Sequence, residues 1–207
     1  MRTNTPTFIN IRNSYKIKTI MHFHLSGNAA SDLKIVRFED FSGSADAFRQ
    51  HWYVHRVTMQ RRKHVIVMEE STRYALLFCR VTQPFFKNFP EFFADTLWRH
   101  IVSLCAVPTA RFGSIQAMTT DMCSENIYHK GLNRSVQAHI RDSFLTLECY
   151  LLHEPPINLA RQEDVFQMNI RINETPRTRY GEKNYIWSLR EFQRLWCEHL
   201  GVAAVRG

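Results

Sequence analysis

The apolar positions of this chain alternate in its first half and then change to helical spacing. Residues 20–25 read Ile-Met-His-Phe-His-Leu, with alternate side chains apolar, which predicts a strand with one side buried. Ser26, Gly27 and Asn28 break that pattern, residues 34–38 resume it, and residues 40–46 read as a loop. Three further alternating runs, residues 51–58, 64–70 and 73–81, are rich in Val, Ile, Tyr and Trp and predict consecutive strands. The segments Gln60-Arg61-Arg62-Lys63 and Glu69-Glu70-Ser71-Thr72 supply their turns, so the economical arrangement is an antiparallel meander.

Pro84 ends the strand-rich half. Pro90 suits a first helical turn, Glu91 and Asp95 lie near its positive end, and Phe93, Leu97, Ile101 and Leu104 repeat at helical spacing until Pro108. Residues 111–130 have no clear period and are expected to hold one short strand and a loop. Asn133 is a suitable N-cap for a helix whose apolar side is Val136, Ile140, Phe144, Leu147 and Leu151, stopped by Pro155-Pro156. Residues 165–172 alternate as a last strand, ending at Asn173-Glu174-Thr175-Pro176. Ser188 and Glu191 have capping-box spacing ahead of Phe192, Leu195 and Leu200, with Gly201 as the stop. The expected fold is α+β: an antiparallel sheet meander packed by about three helices.

Composition narrows the classes. The 207 residues are 44% hydrophobic and 13% aromatic, enough for one packed domain, and the 7 glycines and 7 prolines exclude low-complexity linkers. The expected division is a basic extension over residues 1–20, which holds Arg2, Arg12, Lys16 and Lys18 and no acid, and a single domain over residues 21–207. No apolar run approaches the ~20 residues that span a bilayer, so no membrane is expected. The five cysteines are scattered and never spaced as Cys-x-x-Cys, which excludes a zinc knuckle or disulfide framework and points to the reducing cytoplasm.

Charge points to the partner. Lys and Arg number 27 against 19 acids, a formal net charge of +8, which favours an anionic partner. Arg56, Arg61, Arg62 and Lys63 form the densest basic cluster, close to Trp52 and Tyr53; cations interleaved with aromatic rings suit single-stranded nucleic acid. Arg171, Arg177 and Arg179 make a second basic patch around Asn173, Thr175 and Pro176. A polar knot opens the helix after Asn133: Arg134 follows it, and Ser135, His139 and Asp142 share one helical face. Their letters suggest a hydrolase triad, but side chains on one helix project in parallel and no nucleophile elbow is present. An anion site near a helix start fits better, with Arg134 and His139 meeting a phosphate. The pairs His22/His24 and His51/His55 each lie on one side of a strand, yet no spacing supplies the further ligands of a zinc site, so neither metal nor cofactor is expected.

The order of these features resembles a bacterial family catalogued only as domain of unknown function 6933. The matching pieces are a short strand after Met21, Trp52 followed by Arg61-Arg62-Lys63 and an apolar hairpin, Asn133-Arg134-Ser135 opening a helix, and Asn173-x-Thr175-Pro176. In the family pattern a Gly-Ser pair follows the Asn-Arg-Ser motif; here Ala138 and His139 stand there, while Asp142 keeps the acid. The resemblance supplies no activity and implies a bacterial cytosolic protein of mobile-element or defence neighbourhoods. The expected function is therefore nucleic-acid binding, RNA before duplex DNA, since no helix-turn-helix or zinc finger is apparent. A toxin-like endoribonuclease would use Arg134 to stabilise the phosphorane and His139, Asp142 or Glu174 to move protons. The alternative is a non-catalytic adaptor or antitoxin-type subunit that binds an acidic protein or a nucleoprotein. In either case the two knots are expected to converge, Arg134 and Asp142 meeting Asn173 and Arg177.

Overall fold

In a computed structural model the described residues are 20–40, 51–153, 157–178 and 184–205. Residues 1–19, and with them nearly all of the expected basic extension, lie outside them, as do most of the 40–46 loop and Arg179. The strands β1 (Met21–Leu25), β2 (His51–Met59), β3 (Arg62–Glu69), β4 (Ala75–Val81) and β5 (Asn126–Lys130) form one sheet in the order β4-β3-β2-β1-β5. The β2-β3-β4 meander is antiparallel as expected, its first turn held by left-handed Gln60 and Arg61 (φ 48° and 60°). The remainder corrects the expectation. β1 lies between β2 and β5 and runs parallel to both, so the sheet is mixed. Parallel neighbours need long crossovers, and the chain supplies them in residues 26–50 and 82–125.

Seven α-helices occur among the described residues: α1 (Gly27–Leu33), α2 (Gln83–Lys87), α3 (Phe89–Leu104), α4 (Phe112–Met122), α5 (Arg134–His153), α6 (Gln162–Glu174) and α7 (Ser188–Leu200). A small hairpin, β6 (Pro176–Thr178) with β7 (Tyr185–Trp187), stands beside them. Ser26, which interrupts the alternating pattern, is the N-cap of α1, its hydroxyl accepting from the Ala29 N–H at 3.3 Å. Residues 35–38 are irregular where a strand was expected, and α4 fills much of the stretch read as loop. The run 165–172 is helical. Phe166, Met168, Ile170 and Ile172 fit an alternation, while Val165, Met168 and Ile172 fit a period of 3.6, and the helix buries Met168 and Ile172. α7 begins one residue earlier than a Ser188 cap requires, with Trp187 at the cap and no side-chain cap bond. Gly201 closes it at φ +64°, a left-handed stop that glycine adopts without strain.

The sheet separates two cores. Phe23, Trp52, Val65, Val67 and Leu76 face α3 and α7, where Phe89, Phe93, Phe192 and Trp196 complete an aromatic layer. On the opposite face Ile66, Met68 and Leu77 pack under Val136, Ile140 and Leu147 of α5 and Met168 and Ile172 of α6. The outer edge of β4 would be open to another strand, and α6 covers it. The Asn173 amide accepts from Ala75 N–H and donates to Ala75 C=O, both at 2.7 Å; Asn169, one turn earlier, accepts from Leu77 N–H at 2.6 Å. Two asparagines at helical spacing thereby take the place of a neighbouring strand.

Candidate functional site

The residues singled out in the sequence are distributed over several places around α5. Asn133 caps that helix, its side-chain oxygen accepting from the N–H groups of Ser135 (3.1 Å) and Val136 (3.2 Å). Its amide nitrogen donates to Glu70 at 3.2 Å, and the same Glu70 oxygen accepts from the Tyr53 hydroxyl at 3.1 Å. The β3–β4 turn, β2 and the start of α5 are thus joined by one carboxylate. Burial, with Glu70 adding to it, pushes the Tyr53 phenol upward and keeps it a donor.

On its inner side α5 meets a buried arginine. Arg177, 4% exposed, donates to the carbonyls of His139 (3.0 Å) and Ile172 (3.2 Å) and to the Ser143 hydroxyl (2.8 Å). It is a clamp between α5 and the end of α6, and burial lowers its pKa to about 10. This corrects its expected place in a phosphate-binding patch. His139 is buried too, held near pKa 4 by burial first and by Arg177 and Arg73 next. Trp52 is 0% exposed and belongs to the aromatic core, so it offers no stacking face. Asn173 is committed to β4, while Glu174, Thr175 and Pro176 lie exposed beside it. Arg171 is exposed, its guanidinium 4.9 Å from the Tyr150 ring centre. Arg56 and Lys63 share Asp32, both at 2.7 Å, which ties α1 to the sheet and cancels part of their charge.

The outer side of α5 is different. Arg134, Gln137, Arg141 and Glu148 recur at three, four and seven positions along one helical face and line a cleft of about 710 Å³ against the far half of β2. His55, Thr58 and Met59 form the strand side, with Phe144 at the base. Arg134 and Arg141 are exposed and, among the described residues, neither has an ion pair; the same holds for Arg61 and Arg62 at the adjoining hairpin tip. The expected convergence is therefore met only in part. Arg177 reaches α5, and Asp142 lies close enough to oppose its pKa shift, whereas Arg134 faces the separate cleft and Asn173 faces the sheet. Arg141 and Gln137 were not expected in the site and His55 only as half of a histidine pair, although the seven-residue step from Arg134 to Arg141 marks the shared helical face.

A second polar group sits on the same sheet face toward β1. His22, His24, His51 and His129 stack across three strands, with ring centres 4.6 Å apart for His22–His51 and 4.9 Å for His24–His129. Parallel register produces this, since His22 pairs with His51 and His24 with His129. The rings are hydrogen-bonded in pairs, His22 Nδ1 to His129 Nε2 at 2.8 Å and His24 Nε2 to His51 Nδ1 at 3.1 Å. Burial first, then the neighbouring imidazoles, lower His22 to about 4 and His24 to about 3. Among the described residues no set of three His, Cys, Asp or Glu side chains is arranged to hold a metal ion.

A family model, "Domain of unknown function (DUF6933)", matches residues 22–191. The chain belongs to this family. The match spans β1, the basic hairpin, all of α5 and the start of α7, so the cleft and the histidine stack both lie within it. No curated protein and no solved structure matches the chain. No helix among the described residues is long and apolar enough to cross a membrane.

Proposed function

We propose that this protein binds nucleic acid, RNA in preference to duplex DNA, in the cleft between α5 and β2. One observation carries the reading: Arg134 and Arg141 stand two helical turns apart on one exposed face, without ion pairs, above a floor that includes His55 and Phe144. Seven residues of helix place their backbones about 10 Å apart. Guanidinium groups at that spacing neutralise phosphates, and the half-buried imidazole of His55 between them suits a base. Arg61 and Arg62 extend the positive surface from the β2–β3 turn. The cleft is concave, whereas reading duplex DNA requires an element that projects into the major groove. Binding is favoured over strand cleavage, because His139 is buried behind α5, Glu174 is exposed at the end of α6 and Arg134 faces the cleft.

Fluorescence anisotropy with labelled single-stranded RNA, single-stranded DNA and duplex DNA over a range of salt concentrations tests this. The expected result is saturable binding of the RNA at low salt, weaker binding of the duplex, and an affinity that falls linearly on a log–log salt plot. Absence of RNA binding at the lowest salt would overturn the reading and leave an acidic protein as the partner for the same cations.

A further inference from the structure

A groove of about 410 Å³ lies on the opposite edge of the molecule, between the end of β4, α2 and α3 on one side and the start of α6 on the other. Its volume is that of a small-molecule site. Phe85, Phe92, Val165 and Phe166 give it apolar walls. His100, on α3, also lines it while being only 2% exposed.

The proton on His100 can be placed. Its Nδ1 is 2.7 Å from the hydroxyl of Tyr74, which is completely buried. A buried hydroxyl hydrogen without an acceptor is costly, and His100 Nδ1 is the acceptor that the described residues provide. Tyr74 therefore donates to Nδ1, and the ring's own proton sits on Nε2. Burial holds His100 near pKa 3, so the ring stays uncharged. Nε2 makes no hydrogen bond among the described residues, which leaves one N–H donor for the groove.

Arginines line the same groove as this donor, while Glu163 and Asp164 stand in the first turn of α6. Arg80 has no ion pair among the described residues, and Arg161 holds Glu163 only at 3.9 Å. The first turn of α6 begins at Gln162 in the groove wall, with no side-chain cap on its N–H groups. The carboxylate of Asp95 also lines the groove, but it is occupied by Trp98 (2.9 Å) and Arg99 (2.9 and 3.1 Å). The Asn169 amide is likewise committed to β4 and to the Val165 carbonyl.

We infer that this groove is a binding site for a small carboxylate with an aromatic or aliphatic body. The body would lie against the phenylalanines, and the carboxylate would accept from His100 Nε2–H and pair with Arg161 or Arg80 at the mouth. An apolar recess with a few convergent donors selects for that combination of groups.

Naphthoate and its uncharged counterpart naphthylmethanol, titrated into the full chain by calorimetry, test the site. Saturable binding of naphthoate is expected, with naphthylmethanol about tenfold weaker or more, as one charge-assisted hydrogen bond implies. The exposed change Arg161→Gln should weaken naphthoate about tenfold and leave naphthylmethanol unchanged. The double change Tyr74→Phe with His100→Phe removes donor and acceptor together, so folding is retained while the preference for the acid over the alcohol is lost. Isotope-labelled histidine, observed by NMR, should show His100 protonated on Nε2 and shifted by naphthoate. The inference is overturned if naphthoate does not saturate, if acid and alcohol bind equally, or if the proton of His100 is found on Nδ1.

Discussion

The two faces of the five-stranded sheet share one backbone and carry opposite chemistry. Toward α3 and α7, Phe23 and Trp52 lock edge-to-face with Phe93 at 5.2 and 4.9 Å, and the layer around them is aromatic and aliphatic. Toward α5 and α6 the apolar patch of Ile66, Met68 and Leu77 gives way, nearer β1, to four stacked imidazoles and the buried guanidinium of Arg73. The first face depends on volume, apart from the buried Tyr74–His100 hydrogen bond. The second depends on partners and on pH, and it adjoins the groups assigned here to binding. The cleft proposed to bind RNA lies on the second side of the same strands.

The largest test of that division is Trp52→Ala. Removing a fully buried indole from the aromatic face should cost about 3–5 kcal/mol in denaturant unfolding; a loss below about 1 kcal/mol would mean that the face is not close-packed. Next is Asn173→Ala, which leaves both the N–H and the C=O of Ala75 without the partners they have now. About 2–4 kcal/mol should be lost, and with Asn169→Ala added the bared β4 edge should promote self-association in sedimentation measurements.

The polar face should respond to acid before the carboxylates do. His22 and His24 are lowered in the folded protein to about 4 and about 3 from 6.5, so the unfolded chain takes up their protons first. Their contribution is complete above pH 6.5 and is lost as pH falls through the folded values. Thermal unfolding should therefore weaken steadily between pH 6.5 and about 5, and His22→Gln should flatten that slope. A midpoint that stays level across this window would contradict the buried, uncharged stack. The smallest effect expected is a gain: Arg61→Gly relieves a left-handed residue at the hairpin turn and should add up to about 1 kcal/mol, while weakening RNA binding by removal of one cation.

Much of this architecture was legible where one period dominated. The alternation of β2, β3 and β4 and the long apolar stripes of α3 and α5 point to the elements that formed, and a Gly201 stop is where α7 ends. Short elements carried too little signal: α1 has seven residues and buries only Ala29 and Ala30. α6 was misread because two periods fit the same run, and length decides such cases only when the flanking turns are clear. The parallel placement of β1 leaves no mark in the alternation of its own residues, although residues 26–50 and 82–125 are long enough for crossovers. As for the site, Arg134 and the Arg61-Arg62 turn were visible as charge. That Arg177 and Trp52 are interior could not be read from composition, since burial of a cation or a ring depends on what packs over it.

The central claim is that the exposed face of α5 holds the nucleic acid. The most direct measurement is the salt dependence of single-stranded RNA binding by the wild-type chain and by the double variant Arg134→Gln with Arg141→Gln. Each phosphate contact contributes about 0.7 to the log–log slope, so the variant should bind more weakly with a slope shallower by about 1.4. An unchanged slope and affinity, in a variant that unfolds at the wild-type temperature, would place the RNA elsewhere and contradict the account.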